Sequence, residues 1–540
     1  MPPQDCEKYE DFLQIIGEFG TFQKRLLLWM MPVAFIFSFT YFGQIFMILV
    51  PKKHWCRIRE LEDLPMEEQI NRGIPKKEGG DFEKCFMYNF PLDSDSTNMT
   101  NQTRTKIPCN NGWIYDREEI PYESIATQCN WVCDKKELGT YTLIAYFIGS
   151  IVGCICLGYV ADHYGRLVAL FLANCCALIG GLVSVVCEDF YCFVSSRFVA
   201  GIAMQNCFTC YYILVLENVG VRYRTLIGSL SLAIFFTLGA CALPWLAYAI
   251  KNWRHYALVV SLPVTLVILL CFLLPESPSW LISVGKVERA MKVLRKAART
   301  NGKTISEEQW TEMKQCFELT FADGQSGKQY TCLDLFKNFR RFVVITILII
   351  SWMIVALVYD AHVRVVELFH TDVFITFSLA SLVEAPGGIL PIFLIDRIGR
   401  KPIVIASMLL CAVSSLCTGL LKSQWDVTIS AIVARFFVTL ALNVCQQWAS
   451  EILPTVVRGQ GLSVVNAMGQ AGVMISPIVI YTHHYYRPLP MFIVTLLLVI
   501  GALVILVLPE TMNATLPQTL EEAEKRWRFS CRKRKIKDDQ

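Results

Sequence analysis

The sequence predicts an all-α membrane protein: twelve transmembrane helices in two pseudo-symmetric six-helix bundles. Three observations predict it. First, the 540 residues are 54% hydrophobic and only 18% charged, with a mean hydropathy of +0.43. A soluble chain of this size would interleave its charges along amphipathic helices. Second, apolar runs of about 20 residues, the length that spans a bilayer core, fall into two sets of six. They flank a polar, cation-rich stretch, Leu274–Lys303. Third, the sixth run ends in LPES (Leu274–Ser277) and the twelfth in LPET (Leu508–Thr511), so the chain repeats itself.

The predicted spans are 26–50, 138–160, 168–188, 190–214, 226–249 and 255–274, then 342–362, 371–395, 402–421, 427–447, 459–482 and 489–508. They divide the chain into an N-terminal segment, 1–25, and an N-terminal bundle, 26–274, that includes a long loop at 51–137. A linker, 275–341, a C-terminal bundle, 342–511, and a tail, 512–540, follow. The start is acidic and polar, without a basic region leading into a short apolar core. No cleavable signal peptide is expected, and the first run serves as an anchor.

Basic residues set the orientation. Lys24, Arg25, Arg166, Arg222, Arg224, the linker, Arg397, Arg400, Lys401, Arg458 and the tail all fall on one side of a twelve-span chain. That side is expected to be cytoplasmic, as are both termini. The 51–137 loop then lies outside, where it carries two glycosylation sequons, at Asn98 and Asn101. Five of the 22 cysteines share this loop: Cys56, Cys85, Cys109, Cys129 and Cys133. The cluster predicts disulfides and an oxidising compartment. Five cysteines form at most two bridges, and the pairing is open. Cysteines inside the apolar runs read as small buried hydrophobes. The loop is long enough to be a small domain. In the linker, Val287, Met291, Leu294 and Ala298 recur at helical spacing among Lys and Arg, which predicts an amphipathic helix over Gly285–Thr300. The tail is expected to be partly helical around Leu520–Trp527.

Two doublets repeat in register. Asp162-x-x-Gly165-Arg166 follows span 2, and Asp396-x-x-Gly399-Arg400 follows span 8. Glu217 with Arg224 follows span 4, and Glu451 with Arg458 follows span 10. Glycine permits a tight reversal, and the arginines and carboxylates offer a clamp between the two loops in one conformation.

These motifs resemble the major facilitator superfamily and, within it, solute carrier family 22, the organic cation, carnitine and organic anion transporters. LPESPSWL (Leu274–Leu281) is similar to that family's PESPRWL, with Ser279 where arginine is usual. LPETMNATLPQTLEEAE (Leu508–Glu524) is similar to its LPETKG-x-x-LPETIEDAE. NNGWIYD (Asn110–Asp116) and CNWVCD (Cys129–Asp134) resemble its extracellular signature. Sugar porters share some of these elements but lack the large loop. His163 and Leu167 depart from the more basic first loop of the family.

The resemblance implies a central cavity between two bundles, open alternately to each side, and repeat symmetry with midplane binding follows from general transporter logic. Charges within apolar spans are costly and point to function. Glu384, in SLVEAPGG of span 8, is the first candidate; family members carry a substrate-binding carboxylate here. A structural alternative is an ion pair with a nearby arginine such as Arg435. Asp360, His362, Arg364 and Glu367 read either as a solvated helix end or as a gate near the outer mouth. Trp352 and Tyr359 lie seven apart on one helical face and resemble the family's aromatic pair, suited to cation–π contact or to plain packing. Phe35, Phe39 and Tyr212 are further aromatic candidates. By the resemblance, Gln470 stands where cation transporters carry aspartate, and Gln205 replaces a lysine. With both amides neutral, Glu384 is read as the main net charge.

The expected function is transport of a small organic cation or amine-bearing zwitterion across the plasma membrane, with a possible coupling ion. An organic anion exchanger of the same fold and a non-transporting sensor are the rivals. No cofactor or metal site is expected, and nothing points to nucleic acid. Catalytic elbows, phosphate loops and zinc motifs are absent from the sequence. Direct drive by ATP is thereby excluded, and the energy must come from gradients.

Overall fold

The structure, a computed structural model, describes residues 9–76, 82–89, 105–118, 120–220, 223, 230, 232–326, 336–365, 372–454, 457–512 and 523–524. Asn98, Asn101, Glu367 and Arg224 lie outside the described residues, as do most of the tail and the start of the predicted fifth span. Eleven described helices are long and apolar enough to cross a membrane, and a twelfth is apolar but shorter. They are α1 (Thr21–Met47), α2 (Cys133–His163), α3 (Arg166–Val186), α4 (Phe190–Glu217), α5 (Ala233–Ile250) and α6 (Trp253–Cys271). The second half holds α7 (Phe339–Arg364), α8 (Val373–Ile398), α9 (Arg400–Leu420), α10 (Gln424–Ile452), α11 (Gln460–His484) and α12 (Leu489–Ile505). Number and order match the sequence reading. The edges differ where polar turns extend the helices: α1 begins at Thr21 rather than 26, and α10 runs to Ile452 rather than 447.

Local chemistry starts several of these helices. Asp189 accepts hydrogen bonds from the Tyr191 and Cys192 amides at 3.1 and 3.2 Å, and Asn252 accepts from the Arg254 amide at 2.8 Å. Asp372 caps α8 through the Phe374 amide at 2.8 Å. Three spans are interrupted in mid-course; one of them is α6, which stops at Ser261 and restarts at Val264. In α4 the helix stops at Ala203 and restarts at Asn206, after the Met204 amide closes a tight turn onto the Gly201 carbonyl at 2.9 Å. In α8 it stops at Leu382 and restarts at Glu384. Pro386, two residues on, has no amide to donate to the Leu382 carbonyl. Gln205 and Glu384 therefore both sit at helix breaks.

The loop between α1 and α2 holds two antiparallel ribbons. β1 (His54–Cys56) pairs with β4 (Trp113–Tyr115), and β2 (Phe86–Tyr88) pairs with β3 (Lys106–Pro108). Trp55, Ile58, Ile74 and Met87 form its small core. Disulfides join Cys56 to Cys109 and Cys85 to Cys133, and Cys129 is left as a half-buried thiol whose pKa burial pushes up. A further bridge, Cys187–Cys192, ties the end of α3 to the start of α4. The sequence reading missed it, although two cysteines bounding the polar Glu188–Asp189 step were visible.

At the opposite face, the linker packs as helices Val287–Thr300 and Glu307–Ser326. Val287, Met291, Leu294 and Ala298 are all buried. Asn301 fastens this layer to the N-terminal half. Its Oδ1 accepts from the Phe22 amide at 2.8 Å, and its Nδ2 donates to the Ile16 carbonyl and to Gln23 Oε1 at 3.1 and 3.0 Å. In the C-terminal half, Glu524 accepts from Asn338 at 2.8 Å and from Arg341 at 3.0 and 3.1 Å.

Asn301→Ala removes three hydrogen bonds and orphans the Phe22 amide, so a loss of about 1–3 kcal/mol is expected. Limited proteolysis of the purified protein should then cut the linker or the first twenty residues faster; an unchanged cleavage rate would show that the fastening is redundant.

Candidate functional site

The break in α8 delivers Glu384 to a buried cluster with Tyr359 of α7 and Arg435 of α10. Glu384 is 5% exposed and Arg435 3%, so neither charge is hydrated. The Arg435 guanidinium donates to Glu384 and, through Nη1, to the Tyr359 carbonyl at 2.8 Å. It also lies 4.1 Å from the centre of the Tyr359 ring. The Tyr359 hydroxyl donates to Glu384 Oε1 at 3.1 Å. Arg435 Nε has no partner, which leaves the cluster with an unused donor.

This corrects the reading of Glu384 as the main net charge. An isolated buried carboxylate is too costly to keep ionised, and Arg435 supplies the compensating charge. Asp360 and Arg364 differ from expectation in the same way. They are 1% and 4% exposed, not a solvated helix end. Arg364 donates to Asp360 at 2.6 and 3.3 Å and packs 5.4 Å from the Phe147 ring of α2. His362 is held between the Val358 carbonyl and Ser415 Oγ at 2.8 and 2.9 Å.

The two amides singled out by the resemblance meet each other. Gln470 Nε2 of α11 donates to Gln205 Oε1 of α4 at 3.2 Å, a bond between the two halves, and Gln470 Oε1 has no partner. Trp352 packs against α11 where Gly469 leaves room: a Cβ there would sit 2.4 Å from the indole nitrogen. Phe35 and Tyr212 lie in the aromatic packing of the N-terminal half, against Phe39 at 5.0 Å and Phe208 at 5.9 Å. Sequence reasoning missed a second aromatic set. Phe42 and Phe46 of α1 meet Phe377 of α8 at 5.7 and 5.1 Å, and Tyr248 of α5 meets Phe374 at 5.5 Å. The helical spacing of Phe42 with Phe46, and of Phe374 with Phe377, was the available signal.

The D-x-x-G-R doublets form one knot in each half. Arg166 donates to Asp162 at 2.8 Å and to Glu217 at 3.4 Å, 51 residues away. Its amide donates to Glu276 of LPES at 3.1 Å, 110 residues away. Arg400 contacts Asp396 at 3.4 Å and Glu451 at 3.0 Å, again 51 residues on, and its amide donates to Glu510 of LPET at 3.1 Å, again 110 residues on. Gly165 and Gly399 turn the chain with φ of +116° and +96°. At Gly165 a Cβ would lie 2.4 Å from the Glu276 carboxylate.

The sequence set Glu217 with Arg224 and Glu451 with Arg458. Glu217 and Glu451 pair with Arg166 and Arg400, and the side chains of Arg224 and Arg458 lie outside the described residues. Each knot is internal to its half. Among the described residues no ion pair joins the two halves at this face. On the opposite face they do touch: the Tyr481 hydroxyl of α11 donates to Glu137 of α2 at 3.0 Å, and Lys136 lies 5.4 Å from the Tyr481 ring.

Comparison with known proteins agrees with this architecture. Residues 86–363 match the family model "Sugar (and other) transporter", and residues 342–536 match "Major Facilitator Superfamily". The chain is 30% identical over 539 residues to solute carrier family 22 member 3 of Rattus norvegicus, covering 96% of each. It is 30% identical over 545 residues to a beta-alanine transporter of Drosophila melanogaster, covering 96% of this chain and 89% of that one. A carcinine transporter of the same fly is 29% identical, with 97% and 81% covered. The inward-open structure of the xylose transporter XylE from E. coli shares the fold, with a TM-score of 0.57 and 20% identity over 75% of this chain and 90% of that one. The chain belongs to solute carrier family 22 of the major facilitator superfamily, and it is a transporter rather than an enzyme.

Proposed function

We propose that the chain carries a small amine-bearing organic solute by alternating access, and that it takes a zwitterion in preference to a simple cation. The observation that carries this reading is the buried Glu384–Arg435 pair, joined by Tyr359, at the break in α8. Discontinuous helices at mid-membrane are where transporters of this kind form substrate sites. A solute with an ammonium and a carboxylate can exchange partners with the pair, ammonium to Glu384 and carboxylate to Arg435, without leaving a net charge buried. The Tyr359 ring offers cation–π contact, and the Gln205–Gln470 amides add neutral donors and acceptors. Two relatives named for beta-alanine and carcinine transport support an amine-bearing solute. Beta-alanine itself has one charge of each sign.

In this reading the basic face with the linker and both termini is cytoplasmic. The loop with the disulfides is extracellular and glycosylated at Asn98 and Asn101, and the membrane is the plasma membrane. The Tyr481–Glu137 bond between the halves on the loop face, with no ion pair joining them at the linker face among the described residues, supports an arrangement that opens toward the cytoplasm. Solute gradients or a coupled ion supply the energy.

Uptake into cells expressing the protein tests the site. Labelled beta-alanine, carnitine, tetraethylammonium and para-aminohippurate cover zwitterion, cation and anion. Saturable uptake of a zwitterion, lost in Glu384→Gln, is expected; para-aminohippurate uptake indifferent to that change would instead favour the anion exchanger. Arg435→Gln alone strands a buried carboxylate, at about 3–5 kcal/mol, and should fail to reach the surface. The double variant Glu384→Gln with Arg435→Gln should reach the surface yet not transport. Removing the bond between the halves with Tyr481→Phe should speed labelling of a Phe377→Cys reporter by a membrane-impermeant maleimide. An unchanged rate on the same background would remove Tyr481 from the outer gate.

A further inference from the structure

Arg197, Arg364 and Arg435 of the spans are buried, and they are not equivalent. Arg435 faces Glu384 and Arg364 faces Asp360. Arg197 of α4, 4% exposed, faces no carboxylate: among the described residues it forms no ion pair. Its Nη2 donates to the Gly180 carbonyl of α3 at 3.0 Å, and Nη1 approaches only the Met47 sulfur, at 3.7 Å. The Phe193 ring centre lies 5.3 Å from the guanidinium. Arg197 Nε has no partner. One full positive charge is thus buried in the N-terminal half with its donors partly unused.

A cavity of about 30 Å³ lies beside it, lined among others by Gln44 of α1, Gly181 of α3 and Ser261 of α6. Gly181 is what lets Ser261 reach in, since a Cβ there would sit 2.0 Å from the serine oxygen. Gln44 Oε1 is also buried and without a partner. The oxygen and nitrogen of such an amide are interchangeable by rotation, so Gln44 can turn its amino group to the cavity. All of these residues belong to the N-terminal half. The cavity is therefore separate from the Glu384 site on the other half, and it is far too small for an organic solute.

We propose that this cavity binds a small monovalent anion of halide size, with Arg197 as its counter-charge and Ser261 and the Gln44 amide as further donors. The physical reason is the same that pairs the other two arginines: a guanidinium in an apolar span needs an opposite charge close by. Here no side chain among the described residues provides it, and a cavity with Gln44 and Ser261 in its lining adjoins Arg197. A cation is excluded by Arg197, and an organic carboxylate or phosphate by size. Arg197 follows the start of α4 at Phe190 by two turns, roughly 10 Å of helix, which puts the site near the loop face. The anion acts as a structural counter-ion, so it raises the stability of the N-terminal half rather than taking part in solute exchange.

The test uses the purified full-length protein, with gluconate replaced by bromide at constant ionic strength. A saturable rise in Tm is expected, absent in Arg197→Gln and shifted to higher bromide in Ser261→Ala. Crystals of the wild type in bromide should show an anomalous peak in contact with Arg197 Nε. A flat bromide titration with only water in the cavity overturns the proposal, as does a rise in Tm that survives in Arg197→Gln. Should Arg197→Gln fail to fold, the wild-type titration, the Ser261→Ala shift and the anomalous map decide the question.

Discussion

The cost of a bare charge in an apolar interior governs this structure. Moving an ion out of water costs several kcal/mol even after relaxation, so each ionised group within the spans must find a partner or a reason. Glu384 with Arg435 and Asp360 with Arg364 find partners on the same half. The first of these pairs spans two helices, α8 and α10, and can be pried apart by a ligand that offers both signs. The second is an i, i+4 pair within α7, held closed on one face of a single helix. That difference underlies the proposed exchange at Glu384 and Arg435; Asp360 and Arg364 remain paired within α7, beside its contact with Phe147.

Away from the middle of the membrane the charges serve a different purpose. The two knots at the linker face repeat the same separations of 51 and 110 residues. Each links a turn glycine, an arginine and carboxylates from two other segments of its own half. They tie each half together at the linker face, where no ion pair joins the halves among the described residues. The linker extends the first body through Asn301, and Glu524 extends the second through Arg341. Motion is then confined to the seam between bodies. There the contacts are aromatic packing at Phe42, Phe46, Phe374 and Phe377, one tyrosine–glutamate bond, and the Gln205–Gln470 amide pair.

Much of this was legible in the sequence, for definite reasons. Span length and the duplicated LPES and LPET ends are one-dimensional signals, and they carried the twelve-helix fold. Glu384 was reachable because a charge stands out against apolar neighbours, Tyr359 because it lies two turns from Trp352 on one helical face, and Gln470 through the family resemblance. What the sequence hid is partnership. Nothing in the run SLVEAPGG states that Arg435, 51 residues on, faces Glu384, so that pair stood only as the alternative while Glu384 was read as the main net charge. The pairing of Glu217 with Arg166 and of Glu451 with Arg400, each 51 residues apart, was hidden too, because the turns at Gly165 and Gly399 bring together segments far apart in the chain. Arg197 escaped notice altogether, since an arginine near the start of a span reads as an interfacial residue.

Alternation between two open states requires the seam to be weaker than the bodies it joins, and the chemistry on each side of that seam satisfies this. Edge-on aromatic pairs are worth about 0.5–1.5 kcal/mol each beyond their buried area, and they lose little when a ring slides to a new neighbour. Pulling apart the ion pairs and backbone-capping carboxylates of the knots would break several charged contacts at once. A solute that engages Glu384 and Arg435 at the break in α8 acts at the one place where a strong interaction borders the weak seam. Binding there redistributes a buried charge pair without unpairing it, so the strong contacts of each body are preserved while the aromatic contacts re-form. A ligand of a single charge would leave Glu384 or Arg435 unmatched at the moment the seam opens. The proposed preference for a solute with both charges thus rests on the same constraint that holds the helices together.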